Sequence, residues 1–172
     1  MRKMLARFIQ MPHSMIVLGI DPGYGRCGFA VIQDDGHNCH CITHGVITTK
    51  KESTFSERYL EIANDLKELM RKHAPDMLVI EELFFEKNVK TGLRVAEVRG
   101  MIIYLATELG VGVVEVKPTE VKMALTGYGR ADKRQMQEMV KTIFGFRDIP
   151  KPDDAADAVA IAWTGAKKAR YA

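Results

Sequence analysis

The chain has 172 residues, of which 47% are apolar and 27% charged, and its formal net charge is +3. This length suits one domain, since two would each have a thin core, and the composition is that of an ordinary globular protein. No apolar run approaches the ~20 residues that a membrane-spanning helix needs, so we expect no membrane association. Residues 1–14 lack the apolar region and cleavage pattern of a secretory signal. We interpret 1–14 as an extension outside the fold, with a mitochondrial-type presequence as the alternative, and 15–172 as a single domain.

Three cysteines, Cys27, Cys39 and Cys41, form an odd count without metal-ligand spacing, which predicts a reducing, cytoplasmic location. The run from His37 to Cys41 also suggests a zinc site. On a strand, however, residues 37, 39 and 41 share one face while His40 faces the other way. Buried thiols are common, so packing in the core is the favoured interpretation.

The first predicted element is a buried strand that ends at the turn Asp21-Pro22-Gly23, and a hairpin through Asp34-Asp35-Gly36 follows it. Five segments in all predict strands: residues 15–20, 27–33, 37–48, 76–81 and 112–116. Five more segments predict helices. The first runs from the capping box of Thr54 and Glu57 to Pro75, the second covers residues 92–109 and is closed by Gly110, and a short third covers 118–125. The fourth runs from its cap Asp132 to Gly145, and the fifth is an alanine-rich helix opened by Pro152. Residues 84–91 are predicted to form a loop. A hairpin followed by alternating strands and helices indicates an α/β domain with a mixed sheet.

Four carboxylates occupy places where a core would not hold charge. Asp21 and Glu81 each end an apolar strand, and Asp154 and Asp157 share one face of the last helix. Each has a structural alternative, since Asp21 could cap a turn, Glu81 could reach solvent, and Asp153 and Asp154 could meet the helix dipole.

Asp157 is hardest to explain in structural terms. Its alanine neighbours predict a helix lying close to the sheet, where a carboxylate is costly unless paired or bound to metal. The sequence offers no Arg or Lys at helical spacing to neutralise Asp154 or Asp157. Mg²⁺ prefers carboxylate oxygens, and two such ions ~4 Å apart can promote phosphodiester hydrolysis.

A basic stretch precedes these acids. Residues 117–151 hold eight basic and four acidic side chains, a local charge of +4. A basic surface beside an acidic pocket suits a polyanion held against bound cations, although a solvated helix face is the plain alternative.

Four motifs together resemble the RuvC family of bacterial Holliday-junction resolvases. They are Ile20-Asp21-Pro22-Gly23, Ile80-Glu81-Glu82-Leu83-Phe84 with Lys87-Asn88, Val98-Arg99-Gly100, and the run from Asp154 to Ala160. The resemblance covers roughly residues 15–164. It implies a ribonuclease-H-like fold, here a mixed five-stranded sheet with helices on both faces. It also implies a homodimer that nicks four-way junction DNA symmetrically and leaves 5′-phosphate ends.

The resemblance assigns roles residue by residue. It implies that Asp21, Glu81, Asp154 and Asp157 hold two Mg²⁺ ions per subunit, which Mn²⁺ could replace. Because Asp153 precedes Asp154 directly, either of the two could be the third ligand. Predicted DNA contacts are Phe84, stacking on an unpaired base, and the basic residues Lys87, Arg99, Lys122 and Lys133. The helix at 92–109, with its small residues Ala96 and Gly100, is the expected dimer interface, and the expected partner is a branch-migration complex of the RuvA/RuvB type.

Three other functions remain open from the sequence. One is a different ribonuclease-H-like nuclease, acting on RNA:DNA hybrids or of the YqgF type, against which the final-helix acids and the Phe84 loop argue. Another is a sugar-kinase or actin-type phosphotransferase, which needs two such lobes. The last is a DNA-binding module without catalysis.

Overall fold

The computed structural model describes residues 14–83 and 89–171, which form a five-stranded mixed sheet covered by helices. The strands are β1 (Met15–Asp21), β2 (Arg26–Asp34), β3 (Cys39–Thr48), β4 (Met77–Glu81) and β5 (Gly112–Val116). Their order across the sheet is β3-β2-β1-β4-β5. The β1–β2 and β2–β3 pairs are antiparallel, and the β1–β4 and β4–β5 pairs are parallel. The predicted mixed sheet is confirmed.

In the part of the chain that the structure describes, five helices connect and cover the strands. They are α1 (Phe55–His73), α2 (Val89–Glu108), α3 (Pro118–Thr126), α4 (Lys133–Phe144) and α5 (Asp153–Tyr171). The capping box at Thr54 and the N-cap at Asp132 are both present, as predicted. One boundary was wrong: α2 begins at Val89, so the predicted loop up to Thr91 is too long. Asn88, a residue type that favours helix N-caps, precedes Val89 in the sequence, but the β-branched residues Val89 and Thr91 weaken local helix propensity, which tertiary context overrides.

The helices divide between the two faces of the sheet. Leu18 and Ile20 of β1 pack in a core with residues of α1 and α2, whereas Val17 packs in a second core with residues of α3, α4 and α5. This alternation follows from the two-residue period of a strand, and it confirms helices on both faces. Within the described ranges, no helix is long and apolar enough to cross a membrane.

Helix α5 lies unusually close to the sheet. A Cβ atom added at Gly19 of β1 would lie 2.4 Å from the carbonyl oxygen of Ala158, and one added at Gly28 of β2 would lie 2.1 Å from that of Asp154. The absence of a Cβ at both positions, together with the alanines of α5, permits this approach. The predicted close packing is confirmed, and it carries the start of α5 to the carboxyl end of β1.

The other end of α5 is anchored by a buried ion cluster. The carboxylate of Asp34, at the end of β2, is fully buried and lies 3.2 Å from Lys167 Nζ and 3.6 Å from Arg170 Nε. The backbone N–H of Gly36 donates to Asp34 Oδ1 at 2.9 Å, and Arg170 donates to the carbonyl oxygen of Asp34 at 3.0 Å. The sequence indicated Asp34 only as part of a turn.

The three cysteines are free thiols that pack in the core. Cys27 is buried with the residues beneath α1 and α2, and Cys39 and Cys41 pack against the core beneath α5. The interpretation of these residues as core packing is confirmed.

Candidate active site

An acidic cavity of about 230 Å³ opens at the carboxyl ends of β1 and β4. Asp21 is the last residue of β1 and Glu81 the last of β4; because the two strands are parallel neighbours, their last residues lie at one edge of the sheet. Helix α5 brings Asp157 to the same cavity. Three of the four predicted acidic residues therefore line one cavity, although they are 60 or more positions apart in the sequence.

Two lysines from the basic stretch complete the polar lining. Lys122 of α3 and Lys133 of α4 both line the cavity. The remaining lining residues are mostly apolar: Pro118, Val121, Met136, Ala160 and Ile161. These side chains limit the access of water to the carboxylates, which strengthens every electrostatic interaction within the cavity.

Burial and mutual repulsion raise the pKa of three of these acids. Burial, together with the charges of Asp157, Glu81 and Asp154, raises the pKa of Asp21 to about 7. Burial and Asp157 likewise raise the pKa of Glu81 to about 7. Burial also raises the pKa of Asp157. Carboxyl groups that repel one another in a partly dry cavity are typical of functional sites, where a bound cation relieves the repulsion.

The lysines oppose this repulsion. Lys133 Nζ lies 2.9 Å from Asp153 and 3.6 Å from Asp157, and its charge lowers the pKa of Asp157. Lys122 lowers the pKa of Glu81. The sequence lacked a cation at helical spacing from Asp157, but the fold supplies Lys133 from another helix.

Asp153 and Asp154 point to different neighbours. Asp153 is exposed, and its carboxylate lies beside Lys133 and accepts a hydrogen bond from Gln137 of α4 at 3.1 Å. The side chain of Asp154 is only 19% exposed, lies 3.3 Å from Arg26 Nε, and contributes to the repulsion that raises the pKa of Asp21. Its Oδ2 atom is buried without a hydrogen bond among the described residues. The geometry therefore favours Asp154 over Asp153 as the third acid, although Asp154 does not line the cavity itself.

Sequence reasoning missed Arg26, the ion-pair partner of Asp154. Arg26 starts β2, and the pairing of Asp21 with Gly28 places that end of β2 beside the end of β1. No motif marks the residue, because its role depends on α5 crossing the sheet. The same is true of Gln137, whose contact with Asp153 joins α4 to α5.

The donor atoms fit a hard divalent cation. All four acids offer carboxylate oxygens, which Mg²⁺ and Mn²⁺ accept, and the buried Oδ2 of Asp154 has an ion-pair contact with Arg26 but no hydrogen bond among the described residues. Among residues 14–83 and 89–171, however, no three His, Cys, Asp or Glu side chains form a ready-made coordination shell. Two of them have cations of the protein as neighbours, since Lys133 lies 3.6 Å from Asp157 and Arg26 lies 3.3 Å from Asp154.

The other predicted DNA contacts have different surroundings. Phe84 and Lys87 lie outside the described residues. The side chain of Arg99 is 18% exposed; its Nε donates to the carbonyl oxygen of Glu81 at 3.0 Å, and its terminal nitrogen bonds the carboxylate of Glu115. Arg99 therefore already has two acceptors within the protein.

The predicted dimer helix presents one uncovered apolar stripe. Leu93 and Tyr104 are 55% and 62% exposed, and Gly100 between them is also exposed. Spacings of seven and four residues put these three on one helix face. A Cβ added at Gly100 would meet nothing within 4 Å. Nothing within the described residues therefore explains why this position lacks a side chain.

The fold and the acidic cavity define an α/β protein of the ribonuclease-H-like class, whose carboxylates gather at the ends of the central parallel strands. Residues 17–165 match the family model "Crossover junction endodeoxyribonuclease RuvC", and the chain belongs to that family. Enzymes of this family are metal-dependent nucleases.

Individual relatives agree with this assignment. The crossover junction endodeoxyribonuclease RuvC of Thermosipho melanesiensis is 45% identical over 157 residues, which are 91% of this chain and the whole of that protein. The structure of T. thermophilus RuvC with a Holliday junction substrate is 34% identical, with a TM-score of 0.86 over 91% of this chain and 95% of that one. The yeast mitochondrial Holliday junction resolvase, at 15% identity and a TM-score of 0.64 over 96% of this chain and 86% of that one, shares the fold.

Proposed function

We propose that this protein is an endonuclease that resolves four-way DNA junctions by paired, symmetric nicks in recombination and repair. The observation that carries the proposal is the cavity in which Asp21, Glu81 and Asp157 meet Lys122 and Lys133. Carboxylates suit metal ions, and flanking lysines suit the phosphates of a DNA strand. Family membership supplies the substrate class.

In this proposal Asp21, Glu81, Asp154 and Asp157 hold two Mg²⁺ ions per subunit, for which Mn²⁺ can substitute. When bound, such ions activate water and stabilise the charge on the attacking and leaving oxygens. The carboxylates must be deprotonated to bind them, and pKa values of about 7 for Asp21 and Glu81 mean that protons and metal compete near neutral pH.

The chain's own cations orient the strand. Lys122 and Lys133 lie beside the acids, where their ammonium groups can hold the scissile phosphate and its neighbour. Lys133 would exchange its contacts with Asp153 and Asp157 for a phosphate oxygen. The apolar side chains that line the cavity beside the acids lower the local polarity, which strengthens the attraction between the carboxylates and a bound cation.

Symmetric nicking requires two cavities, so we propose a homodimer formed through the exposed stripe Leu93, Gly100 and Tyr104 of α2. Small residues such as Gly100 and Ala96 let two helices approach closely. Light scattering at micromolar concentration should give twice the mass of the chain. Gly100→Arg should shift the protein to the monomer, because the arginine side chain would project from the face that the partner covers.

Phe84 and Lys87 stay predictions from the sequence. We expect Phe84 to stack on a base unpaired at the crossover, a contact worth ~1–3 kcal/mol, and Lys87 to contact phosphate. Phe84→Ala should slow cleavage of intact junctions far more than cleavage of junctions already unpaired at the crossover, without lowering the melting temperature. A large loss of thermal stability would instead make Phe84 a core residue.

The cellular setting follows from the same proposal. The free thiols Cys27, Cys39 and Cys41 suit a reducing cytoplasm. A branch-migration complex of the RuvA/RuvB type would supply the junction. Residues 1–14 would stand outside the single domain formed by 15–172.

Cleavage of a synthetic four-way junction, a linear duplex and an RNA:DNA hybrid, each with and without Mg²⁺, tests the proposal. We expect cuts at symmetric positions on the junction alone, and only with metal. Preferential cutting of the hybrid would favour the other nuclease class, and binding without cutting would favour a DNA-binding module.

The adjacent residues Asp153 and Asp154 offer a matched pair of variants. Asp154→Asn should abolish cleavage, because it removes the carboxylate that faces Asp21. Asp153→Asn should retain it, since that carboxylate contacts Lys133 and Gln137. Loss of cleavage in Asp153→Asn alone would show that the third ligand is one residue earlier.

A further inference from the structure

Arg99 connects helix α2 to the strand end that carries Glu81. Its Nε donates to the carbonyl oxygen of Glu81 at 3.0 Å, and its terminal nitrogen bonds the carboxylate of Glu115, the residue before the end of β5. The side chain is 18% exposed, against 48% for Glu115. A single guanidinium therefore holds both strand ends next to the cavity.

The peptide group that follows Glu81 is fixed on both of its polar atoms. Its carbonyl oxygen accepts from Arg99, and its N–H, which belongs to Glu82, donates to the carbonyl oxygen of Val116 at 2.8 Å. A peptide unit is planar, so two hydrogen bonds at opposite sides fix its orientation. The direction in which the Glu81 side chain leaves the backbone is thereby set as well.

The charge of Arg99 is already neutralised inside the protein. Glu115 supplies the opposite charge, and Lys168 Nζ contacts the carbonyl oxygen of Glu115 at 3.2 Å, which holds that residue in place. A guanidinium that leaves these acceptors to reach a phosphate would leave the carbonyl of Glu81 and the carboxylate of Glu115 without their partner. Such a loss is costly for partly buried groups.

We propose that Arg99 is a positioning residue that aims Glu81 into the acidic cavity, with Glu115 as its anchor, and that it does not contact DNA phosphates. The inference rests on the proposed function, because it assumes that Glu81 is a metal ligand. Groups that orient ligands in this way usually affect metal affinity by ~10–100-fold when removed. A phosphate contact would instead affect DNA affinity and its dependence on salt.

Arg99→Gln and Glu115→Gln should be compared with Arg94→Gln as the matched control. Arg94 lies on the same helix and pairs with Glu97 at 2.8 Å, so its replacement removes the same charge without touching β4. For each protein we would measure junction affinity in metal-free buffer at several salt concentrations. We would also measure the Mg²⁺ concentration that gives the half-maximal rise in melting temperature, and the one that supports half-maximal single-turnover cleavage.

We expect Arg99→Gln to raise both Mg²⁺ concentrations about tenfold and to leave the salt dependence of junction binding equal to that of Arg94→Gln. Glu115→Gln should raise them less and in the same direction. The double variant should do no more than Arg99→Gln, since both changes break one connection. If Arg99→Gln does not fold, the Mg²⁺ requirement of Glu115→Gln is compared with that of Arg94→Gln instead.

An unchanged Mg²⁺ requirement in Arg99→Gln would overturn the inference. If the salt slope also became shallower by about one, Arg99 would be a phosphate contact. Failure of the proposed function would give a different result, because the melting temperature of the wild type would depend on Mg²⁺ although the protein cut no junction. The Mg²⁺ dependence of the melting temperatures of Arg99→Gln and Arg94→Gln would still decide the role of Arg99.

Discussion

Two sets of buried carboxylates lie at opposite ends of the β1–β2 pair, and the protein neutralises them differently. At one end Asp34 is fully buried between Lys167 and Arg170, with a backbone N–H as a further donor. At the other end Asp21 shares its surroundings with Glu81, Asp154 and Asp157, and burial together with these charges raises its pKa to about 7.

The difference distinguishes an anchor from a reactive site. The carboxylate of Asp34 is neutralised by two cations of α5, so it holds that helix in place. It has no unpaired charge with which to bind a ligand. The four acids at this end, Asp21 included, outnumber the three cations Lys122, Lys133 and Arg26, and the raised pKa values of Asp21 and Glu81 reflect burial together with the repulsion that remains. Such repulsion lowers the stability of the folded protein. A cation that binds there relieves the repulsion and therefore stabilises the folded state.

The largest effect should come from removing a carboxylate at the acidic end. Asp21→Asn should reduce single-turnover junction cleavage by more than about 100-fold, because a direct ligand should matter more than the groups that orient it. Junction binding in metal-free buffer should be retained, since the lysines are untouched. Glu81→Gln and Asp157→Asn should behave alike, whereas full cleavage by Asp21→Asn at ordinary Mg²⁺ concentration would contradict the site.

At the other end, Asp34→Asn should lower the free energy of unfolding by about 3 kcal/mol, because it leaves two partly buried cations without their partner. Denaturant unfolding measures this loss. Cleavage per folded molecule, assayed well below the melting temperature, should stay within about twofold of the wild type if the anchor is only structural. A selective loss of cleavage would mean that Asp34 controls where α5 places Asp157.

The two ends should also differ in their response to pH. The native pKa of Asp21, about 7, lies above its ordinary value of 3.8, so the folded state binds its proton more tightly than the unfolded state. The wild type should therefore lose stability in metal-free buffer as the pH rises from about 4 through 7. Asp21→Asn should lack the part of this loss that comes from Asp21 while keeping the part that comes from Glu81, and its free energy of unfolding should exceed that of the wild type by about 2 kcal/mol at pH 8.

Denaturant unfolding at several pH values checks this expectation. Adding Mg²⁺ should raise the free energy of unfolding of the wild type and should not raise that of Asp21→Asn, which lacks a metal ligand. Equal pH profiles for the two proteins would show that the repulsion is relieved in some other way.

The smallest effects should come from the cations of the acidic end. Lys122→Ala and Lys133→Ala should each make the salt dependence of junction binding shallower by about one unit, if each ammonium group contacts one phosphate. Fluorescence anisotropy across a salt series would measure both slopes. Lys167→Ala, at the other end, should leave the slope unchanged, because Lys167 already pairs with Asp34.

Much of the molecule was predictable because its signals are local. The strand that ends at Asp21, the capping box at Thr54 and the glycine at 145 that closes α4 each depend on a few neighbouring residues, and the structure contains all of them. The start of α2 was wrong because the β-branched residues Val89 and Thr91 weaken the local helix signal, although Asn88 is a favourable capping residue type. Family motifs identified the four acids, and the structure places three of them in one cavity.

The sequence alone determined which residue types are available at this site: acids at the ends of apolar strands, a pair of acids on an alanine-rich helix, and a basic stretch before them. Only the tertiary structure decided how these charges pair. Lys133 reaches Asp157, Arg26 reaches Asp154, and Arg99 binds the backbone at Glu81, and each contact joins two different elements. The physical reason is that electrostatic energy depends on distance and burial in space, and both are set by how α5 and α2 pack on the sheet.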